Sequence, residues 1–152
     1  MHIRRARDNE AAELSELAIE SKRHWGYADA QMDEWCADLT ITAEFLAANP
    51  AFVADLEDRV AGFYAMVPAN REWDLLHFWV RPACMNRGVG RAMLAHARDL
   101  AATAGAAFIA IDSDPNAEPF YLACGAKRVG VQAAPIAGQP DRVRPQLVLP
   151  VT

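Results

Sequence analysis

The chain has 152 residues, of which 53% are hydrophobic and 23% charged, with a formal net charge of −5. This size favours one globular domain over residues 1–152, which would bury about two thirds of the surface of its unfolded chain. The acidic balance argues against a nucleic-acid-binding protein, because such proteins carry a basic patch. No apolar run approaches the roughly 20 residues that span a bilayer and no signal-peptide pattern begins the chain, so we expect a cytoplasmic protein that binds no membrane.

The three cysteines, Cys36, Cys84 and Cys124, are odd in number and lack the spacing of metal ligands. An odd number does not suit a disulfide framework, which also belongs to oxidising compartments. We therefore expect free thiols and no bound metal.

The first half of the chain reads as one strand, two helical regions and three more strands. His2 to Arg5 predicts the first strand, and Asp8 or Asn9 is placed to cap a helix that runs to about Arg23. Four of its residues recur at helical spacing and are the expected buried face: Leu14, Leu17, Ala18 and Ser21. The second helical region is predicted from about Asp29 to Ala48, with an interruption near Thr40 to Thr42.

Three strands follow Pro50. The first two, Ala51 to Leu56 and Arg59 to Val67, are separated by Glu57-Asp58, which is a compact hairpin signal. The third, Trp73 to Val80, is mostly apolar, so we expect it to be buried on both faces at the centre of a sheet.

A loop rich in glycine and arginine, Arg87-Gly88-Val89-Gly90-Arg91, lies between that strand and a helix predicted from Val89 to about Thr103. Glycines allow successive backbone N–H groups to converge on an anion, and a helix N-terminus adds partial positive charge. Taken alone, the loop fits an ordinary strand-to-helix turn equally well. The dinucleotide fingerprint fails because its third glycine would fall at Met93, and the P-loop pattern is absent too.

The helix after this loop has one apolar stripe at helical spacing, and Gly105 is its expected end. The stripe consists of Val89, Met93, Ala97, Leu100 and Ala104.

The last third of the chain predicts three strands and one short helix. Ala107 to Ile111 is a buried strand, and Asn116 is the expected N-cap of a helix with Pro119 in its first turn and Gly125 at its end. Two further strands are expected, Lys127 to Val131 and Gln146 to Val151, joined by a turn-rich loop over 132–145.

Together with the glycine loop, the later run Asn116-Ala117-Glu118-Pro119-Phe120-Tyr121-Leu122-Ala123-Cys124-Gly125-Ala126 resembles the GCN5-related N-acetyltransferase (GNAT) superfamily. The order and spacing of both motifs agree with the family pattern. This chain departs from the pattern at two positions: Met85, where Arg or Gln is usual, and Ala126, where an aromatic residue often stands. The resemblance implies an α/β (α+β) fold. Its central sheet is mixed, mostly antiparallel, and has six to seven strands with splayed central strands and about four flanking helices.

The resemblance also implies a site for acetyl-CoA, the acyl-donor cosubstrate. The backbone from Asn86 to Arg91 would cradle the pyrophosphate, with Arg87 or Arg91 adding charge, and Asn116 would contact the cofactor. The pantetheine arm would lie along the strand end formed by Phe78, Trp79 and Val80. Tyr121 would stand near the sulfur, as the general acid that protonates the departing thiolate.

The base that deprotonates the amine is less defined. Asp74 occupies the strand position at which some relatives carry a catalytic glutamate, and it would act through a water. His77 titrates in a useful range, but strand alternation puts it on the face opposite Asp74. His24 is a third candidate, because it lies in the segment expected to face the acceptor.

The acceptor side would be formed by Lys22 to Tyr27 and by the loop from about Ala134 to Arg144. Trp25 and Tyr27 are candidates to wall an apolar or cationic substrate through their ring faces, or else to fill a helix junction in the core. With His24 and His77, they complete the candidate substrate-binding residues.

The resulting hypothesis is an acetyl-CoA-dependent N-acyltransferase that transfers acetyl by direct attack of a primary amine, on a small molecule or a peptide. The alternative is a catalytically weak acyl-CoA sensor, motivated by Met85 and the undefined base. A cysteine hydrolase is weaker, because Cys124 follows a helix C-terminus, where the dipole disfavours a thiolate. A homodimer is left open.

Overall fold

A computed structural model describes residues 1–152 and contains seven strands and five α-helices, with two short 3₁₀ turns at Asp8–Glu10 and Pro82–Cys84. In chain order the elements are β1 (His2–Arg5), α1 (Ala11–Arg23), α2 (Asp29–Leu39), α3 (Ala43–Ala48), β2 (Ala51–Leu56), β3 (Arg59–Val67), β4 (Glu72–Val80), α4 (Val89–Thr103), β5 (Phe108–Asp112), α5 (Glu118–Ala123), β6 (Lys127–Ala133) and β7 (Val143–Pro150).

The seven strands form one mixed sheet in the order β1-β2-β3-β4-β5-β7-β6. β4 and β5 pair in parallel, whereas the pairs β1–β2, β2–β3, β5–β7 and β6–β7 are antiparallel. The expected α/β architecture with a mostly antiparallel sheet is therefore confirmed, with one more helix than expected.

The pairing of β4 with β5 is short. It runs from Glu72 opposite Phe108 to Leu75 opposite Ile111, while β4 itself continues to Val80. The last part of β4 thus extends beyond its paired register with β5.

The chain divides into two compact units, and β4 and α4 contribute residues to both. The first unit comprises Met1–Met66 and His77–His96. Its core packs α1, α2 and α3 against β2 and β3, as expected from the buried face of α1. The largest fully buried side chains in this core are Leu14, Leu17, Leu46, Val53 and Phe63.

The second unit comprises Val67–Leu76 and Ala97–Thr152. Ile109 of β5 and Leu147 and Leu149 of β7 are at most 1% exposed and form the centre of its core. β6 is the edge strand and is exposed along its whole length. None of the helices in either unit combines the length and apolar character that a bilayer crossing demands.

Three predicted details of the elements are wrong. Neither Asp8 nor Asn9 caps α1, because the chain starts that helix with a 3₁₀ turn and the Glu10 carboxylate accepts the Arg7 amide at 2.7 Å. β4 is not buried on both faces: its first six residues alternate, so that Asp74 is exposed and Leu76 is 53% exposed.

The third wrong detail is the loop between β6 and β7, which spans only 134–142. Pro145 lies inside β7, opposite Val131 of the edge strand. The prolines therefore made the predicted loop too long. A strand accepts proline wherever its N–H is not needed for the hydrogen bonds between strands.

On α4, Leu94 and Ala101 join the buried stripe and Ala104 is exposed.

Candidate functional site

The glycine loop joins β4 to α4 through a backbone that L-residues seldom adopt. Asn86 and Gly88 have positive φ angles of 62° and 82°, and α4 begins at Val89. A side chain at Gly88 would meet no atom, so its backbone conformation and not lack of space favours glycine. In the first turn of α4 the Ala92 amide donates to the Gly88 carbonyl at 3.1 Å. The amides before it have no acceptor within the helix, so this end of α4 has the donors that an anion requires.

The two arginines of the loop are not equivalent. Arg87 donates to both carboxylate oxygens of Glu57, which lies in the β2–β3 turn. This ion pair lowers the pKa of Glu57 and raises the pKa of Arg87. Both side chains are largely exposed. Arg91, on the first turn of α4, is exposed. An incoming anion therefore competes with Glu57 for Arg87.

The end of β4 and the start of α4 pack tightly on β3. A Cβ on Gly62 would lie 2.7 Å from the Trp79 carbonyl oxygen and 3.1 Å from the Met93 methyl carbon. The Arg81 amide donates to the Ala61 carbonyl at 2.7 Å, where β3 bulges against β2. Glycine at position 62 thus permits the close approach that fixes the strand end.

His77 is buried in the first unit and is 8% exposed. Its ring lies between Phe45 and Phe63, and its Nδ1 accepts a hydrogen bond from the Trp79 indole at 3.1 Å. Burial lowers the pKa of His77 to about 4, so the ring is neutral near pH 7. Because it is enclosed by aromatic rings, His77 is poorly placed to meet an acceptor without rearrangement.

His24 and Trp25 are exposed at the end of α1, with their rings in edge contact at 5.5 Å. His24 borders an open surface cavity of about 500 Å³, which is lined by the α1 residues Glu16, Ile19, Glu20 and Arg23 and by Pro82. The structure therefore brings His24 and two carboxylates next to the segment that follows β4.

Tyr27 is half-buried and packs edge-on against Trp35, with 4.8 Å between ring centroids. The Lys22 ammonium lies over both rings, 5.2 Å from the centroid of Tyr27 and 4.6 Å from that of Trp35. The ring of Tyr27 is thus already in a cation–π contact within the chain, whereas Trp25 is 38% exposed.

The second unit carries Tyr121, Asn116 and Asp74. Tyr121 is 6% exposed on α5, and its ring contacts Phe120 edge-on. Burial raises its pKa above the ordinary value for a phenol, and the nearby Asp114 carboxylate raises the pKa further. Its phenol is therefore protonated throughout the neutral range. Asp74 is exposed on the β4 face opposite to that of the buried His77, as strand alternation predicted.

The turn before α5 differs from the prediction, because Asn116 is not an N-cap. Ala117 takes that position without a side-chain hydrogen bond. Instead, the Asp114 carboxylate accepts from the backbone amide of Asn116 at 2.8 Å and from its side-chain amide at 2.9 Å. An aspartate two residues ahead of an N–H forms such a turn readily, which fixes the orientation of the Asn116 side chain.

Sequence reasoning missed three charged residues beside the candidate site. They are Glu57, which binds Arg87, and the buried pair formed by Asp114 and Arg142. The Asp-Pro-Asn run at 114–116 is a recognisable turn signal, but no local pattern marks Glu57 or Arg142 as a partner, since each pair forms through the fold. No three or more His, Cys, Asp or Glu side chains gather into a group that could hold a metal ion.

Comparison with known proteins identifies the family. The model of the Acetyltransferase (GNAT) family matches residues 11–126, so the chain belongs to this family. No curated protein matches the sequence.

Among solved structures, a GCN5-related N-acetyltransferase from Rhodopseudomonas palustris is similar with a TM-score of 0.80 and 20% identity, covering 98% of this chain and 94% of that one. The PaiA N-acetyltransferase of Thermoplasma acidophilum, solved with coenzyme A, has a TM-score of 0.78 and 16% identity over 98% of both chains. The ribosomal-protein-S18-alanine N-acetyltransferase of Escherichia coli has a TM-score of 0.72 and 17% identity, covering 99% of this chain and 94% of that one. These similarities show the GNAT fold.

Proposed function

We propose that this protein is an N-acetyltransferase that transfers acetyl from acetyl-CoA to a primary amine of a small molecule or peptide. The observation that carries the proposal is the loop before α4, where Asn86 and Gly88 have positive φ angles and the first amides of a 15-residue helix have no intrahelical acceptor. Free backbone N–H donors at the positive end of a helix dipole are the groups that bind a pyrophosphate. The solved relatives that bind coenzyme A support it.

In this proposal the backbone of residues 86–91 binds the pyrophosphate, and Arg91 adds charge. Arg87 contributes once it exchanges Glu57 for the phosphate. The pantetheine amides hydrogen-bond along Phe78, Trp79 and Val80, where β4 has passed the end of its pairing with β5. Asn116, oriented by its turn, contacts the cofactor.

Tyr121 is the proposed general acid. The amine attacks the thioester carbonyl carbon, and the resulting tetrahedral intermediate breaks its C–S bond with the electron pair leaving on sulfur. The raised pKa of Tyr121 keeps its proton in place until that pair forms. The phenol then gives its proton to the thiolate and recovers one from solvent.

The proton lost by the amine goes to a base on the acceptor side. Asp74 is exposed and can act through a water. His24 is exposed beside the cavity, where the Glu16 carboxylate favours a cationic acceptor, whereas Glu20 is paired with Arg81 at 3.0 Å and Arg23 lines the same cavity. His77 is the weakest candidate base of the three, because its buried, neutral ring already accepts a hydrogen bond from the Trp79 indole.

The test measures free thiol release from acetyl-CoA against amino acids, polyamines, aminoglycosides and short peptides. With an accepted amine, Tyr121→Phe should lower kcat by about 10²- to 10³-fold, because it removes only the hydroxyl. Acetyl-CoA affinity, measured by calorimetry, should stay within about threefold, since the phosphate contacts that dominate it are retained.

Tyr64→Phe is the matched control, because Tyr64 is also buried and its hydroxyl bonds to His96 at 2.7 Å. Its kcat should be unchanged. A Tyr121→Phe enzyme with the wild-type rate would remove Tyr121 from the mechanism. Tight acetyl-CoA binding without turnover of any amine would favour the sensor, and no binding at submillimolar acetyl-CoA would refute the proposal as a whole.

A further inference from the structure

The second unit contains a buried ion pair that the proposed mechanism does not use. Arg142 Nη2 lies 3.7 Å from Asp114 Oδ2, and the two side chains are only 4% and 8% exposed. Charges buried to this extent are costly unless they are paired and hydrogen-bonded.

Each partner of this pair holds a different segment. Asp114 lies in the turn before α5, and its other carboxylate oxygen accepts both hydrogen bonds from Asn116. Arg142 closes the loop at 134–142, where its guanidinium donates to the Ala134 carbonyl at 3.1 Å and its carbonyl accepts the Ala134 amide at 3.0 Å. The pair therefore ties the base of that loop to the turn that carries Asn116.

The same turn leads directly to Tyr121. The Ala117 amide donates to the Asp114 carbonyl at 3.0 Å, and the Ala117 carbonyl accepts the amides of Phe120 and Tyr121. The Asp114 carboxylate is also close enough to disfavour the phenolate of Tyr121 electrostatically. The position of Asp114 thus fixes the helix start that carries Tyr121, while its charge keeps the phenol protonated and by itself opposes release of the proton.

We propose that Asp114, held by Arg142, is a positioning residue that orients the Tyr121 phenol and the Asn116 amide for acetyl transfer. This inference rests on the proposed function of Tyr121. It makes the loop at 134–142, on the expected acceptor side, part of the support of the general acid.

The test uses the double variant Asp114→Asn, Arg142→Met in the full chain. Removing one partner alone would leave the other charge buried and unpaired, so single variants are expected to unfold easily. The double variant is neutral and similar in volume, and the Asn oxygen still accepts from the Asn116 amide, so the thermal midpoint should change little. Its kcat should fall about tenfold, with both KM values within about threefold, because the lost orientation of the acid acts in the transition state and outweighs removal of a carboxylate that disfavours the phenolate.

Two comparisons decide whether the fall in kcat of the double variant depends on Tyr121. In the Tyr121→Phe background the double variant should cost no further activity, since residues that act as a unit are not additive. The control pair is Glu118→Gln, Arg128→Gln, which removes a more exposed ion pair of the same unit and should leave kcat unchanged.

A folded double variant with wild-type kcat would overturn the inference, and so would an undiminished loss in the Tyr121→Phe background. If Tyr121→Phe itself has the wild-type rate, the proposed role of Tyr121 has failed. A tenfold loss in the double variant would then identify Asp114 with a different step and would likewise overturn the inference as stated.

Discussion

Replacing Gly62 by alanine tests how the end of β4 is held. The new methyl carbon would lie 2.7 Å from the Trp79 carbonyl oxygen and 3.1 Å from the Met93 methyl carbon. The Met93 side chain can move, but the carbonyl belongs to the backbone of β4, so the strand end must shift. Overpacking of this kind costs about 1–3 kcal/mol. In a chain of this length each kcal/mol lowers the thermal midpoint by about 2–4 °C.

Gly130→Ala in β6 is the matched control, because a Cβ there meets no atom within 4 Å and its φ is not positive. Both substitutions restrict the unfolded chain equally, which by itself stabilises by about 0.4–1 kcal/mol. Calorimetric unfolding should show Gly62→Ala below the wild type and Gly130→Ala at or above it. Acetyl-CoA affinity should fall only in Gly62→Ala, since Trp79 belongs to the proposed pantetheine-binding strand end and Met93 lies on α4, which follows the proposed pyrophosphate loop. Equal stability of the two variants would refute the argument from close approach.

Three further predictions follow from charge and burial. Glu57→Gln should tighten acetyl-CoA binding by less than about fivefold, and less so in high salt, because it releases Arg87; weaker binding in calorimetry would contradict this. Burial lowers the pKa of His77 to about 4, so unfolding takes up a proton as the pH falls below the ordinary value near 6.5. Denaturant titrations should therefore show that the wild type loses up to about 3 kcal/mol more than His77→Gln between pH 6.5 and 4, whereas parallel losses would disprove the assignment. In thiol labelling of the native protein, exposed Cys36 should react first and buried Cys84 only on unfolding; early modification of Cys84 would contradict its burial.

Element order was predictable because glycine and proline punctuate this chain at most boundaries. Gly105 and Gly125 end α4 and α5 with positive φ angles, as predicted, and Glu57-Asp58 forms the hairpin turn. Periodicity identified the buried face of α1 completely.

The prediction failed where neighbours and not local pattern decide the outcome. The burial of β4 could not be read from its apolar content, because burial depends on what covers each face of the sheet, and Asp74 and Leu76 lie on the exposed face. Asn116 has the residue type of an N-cap, yet Asp114 competes for its amides and forms a different turn.

The sequence by itself determined the family motifs, the loop before α4 and the identity of Tyr121, because these depend on residue types at short, fixed spacings. Only the tertiary structure decided which charges meet: Glu57 with Arg87, 30 positions apart, and Asp114 with Arg142. Such pairs form when distant segments are brought together by the sheet, and their strength depends on burial, which no local pattern encodes. The sequence therefore predicts which groups could react, while the fold determines the protonation and orientation in which they are held.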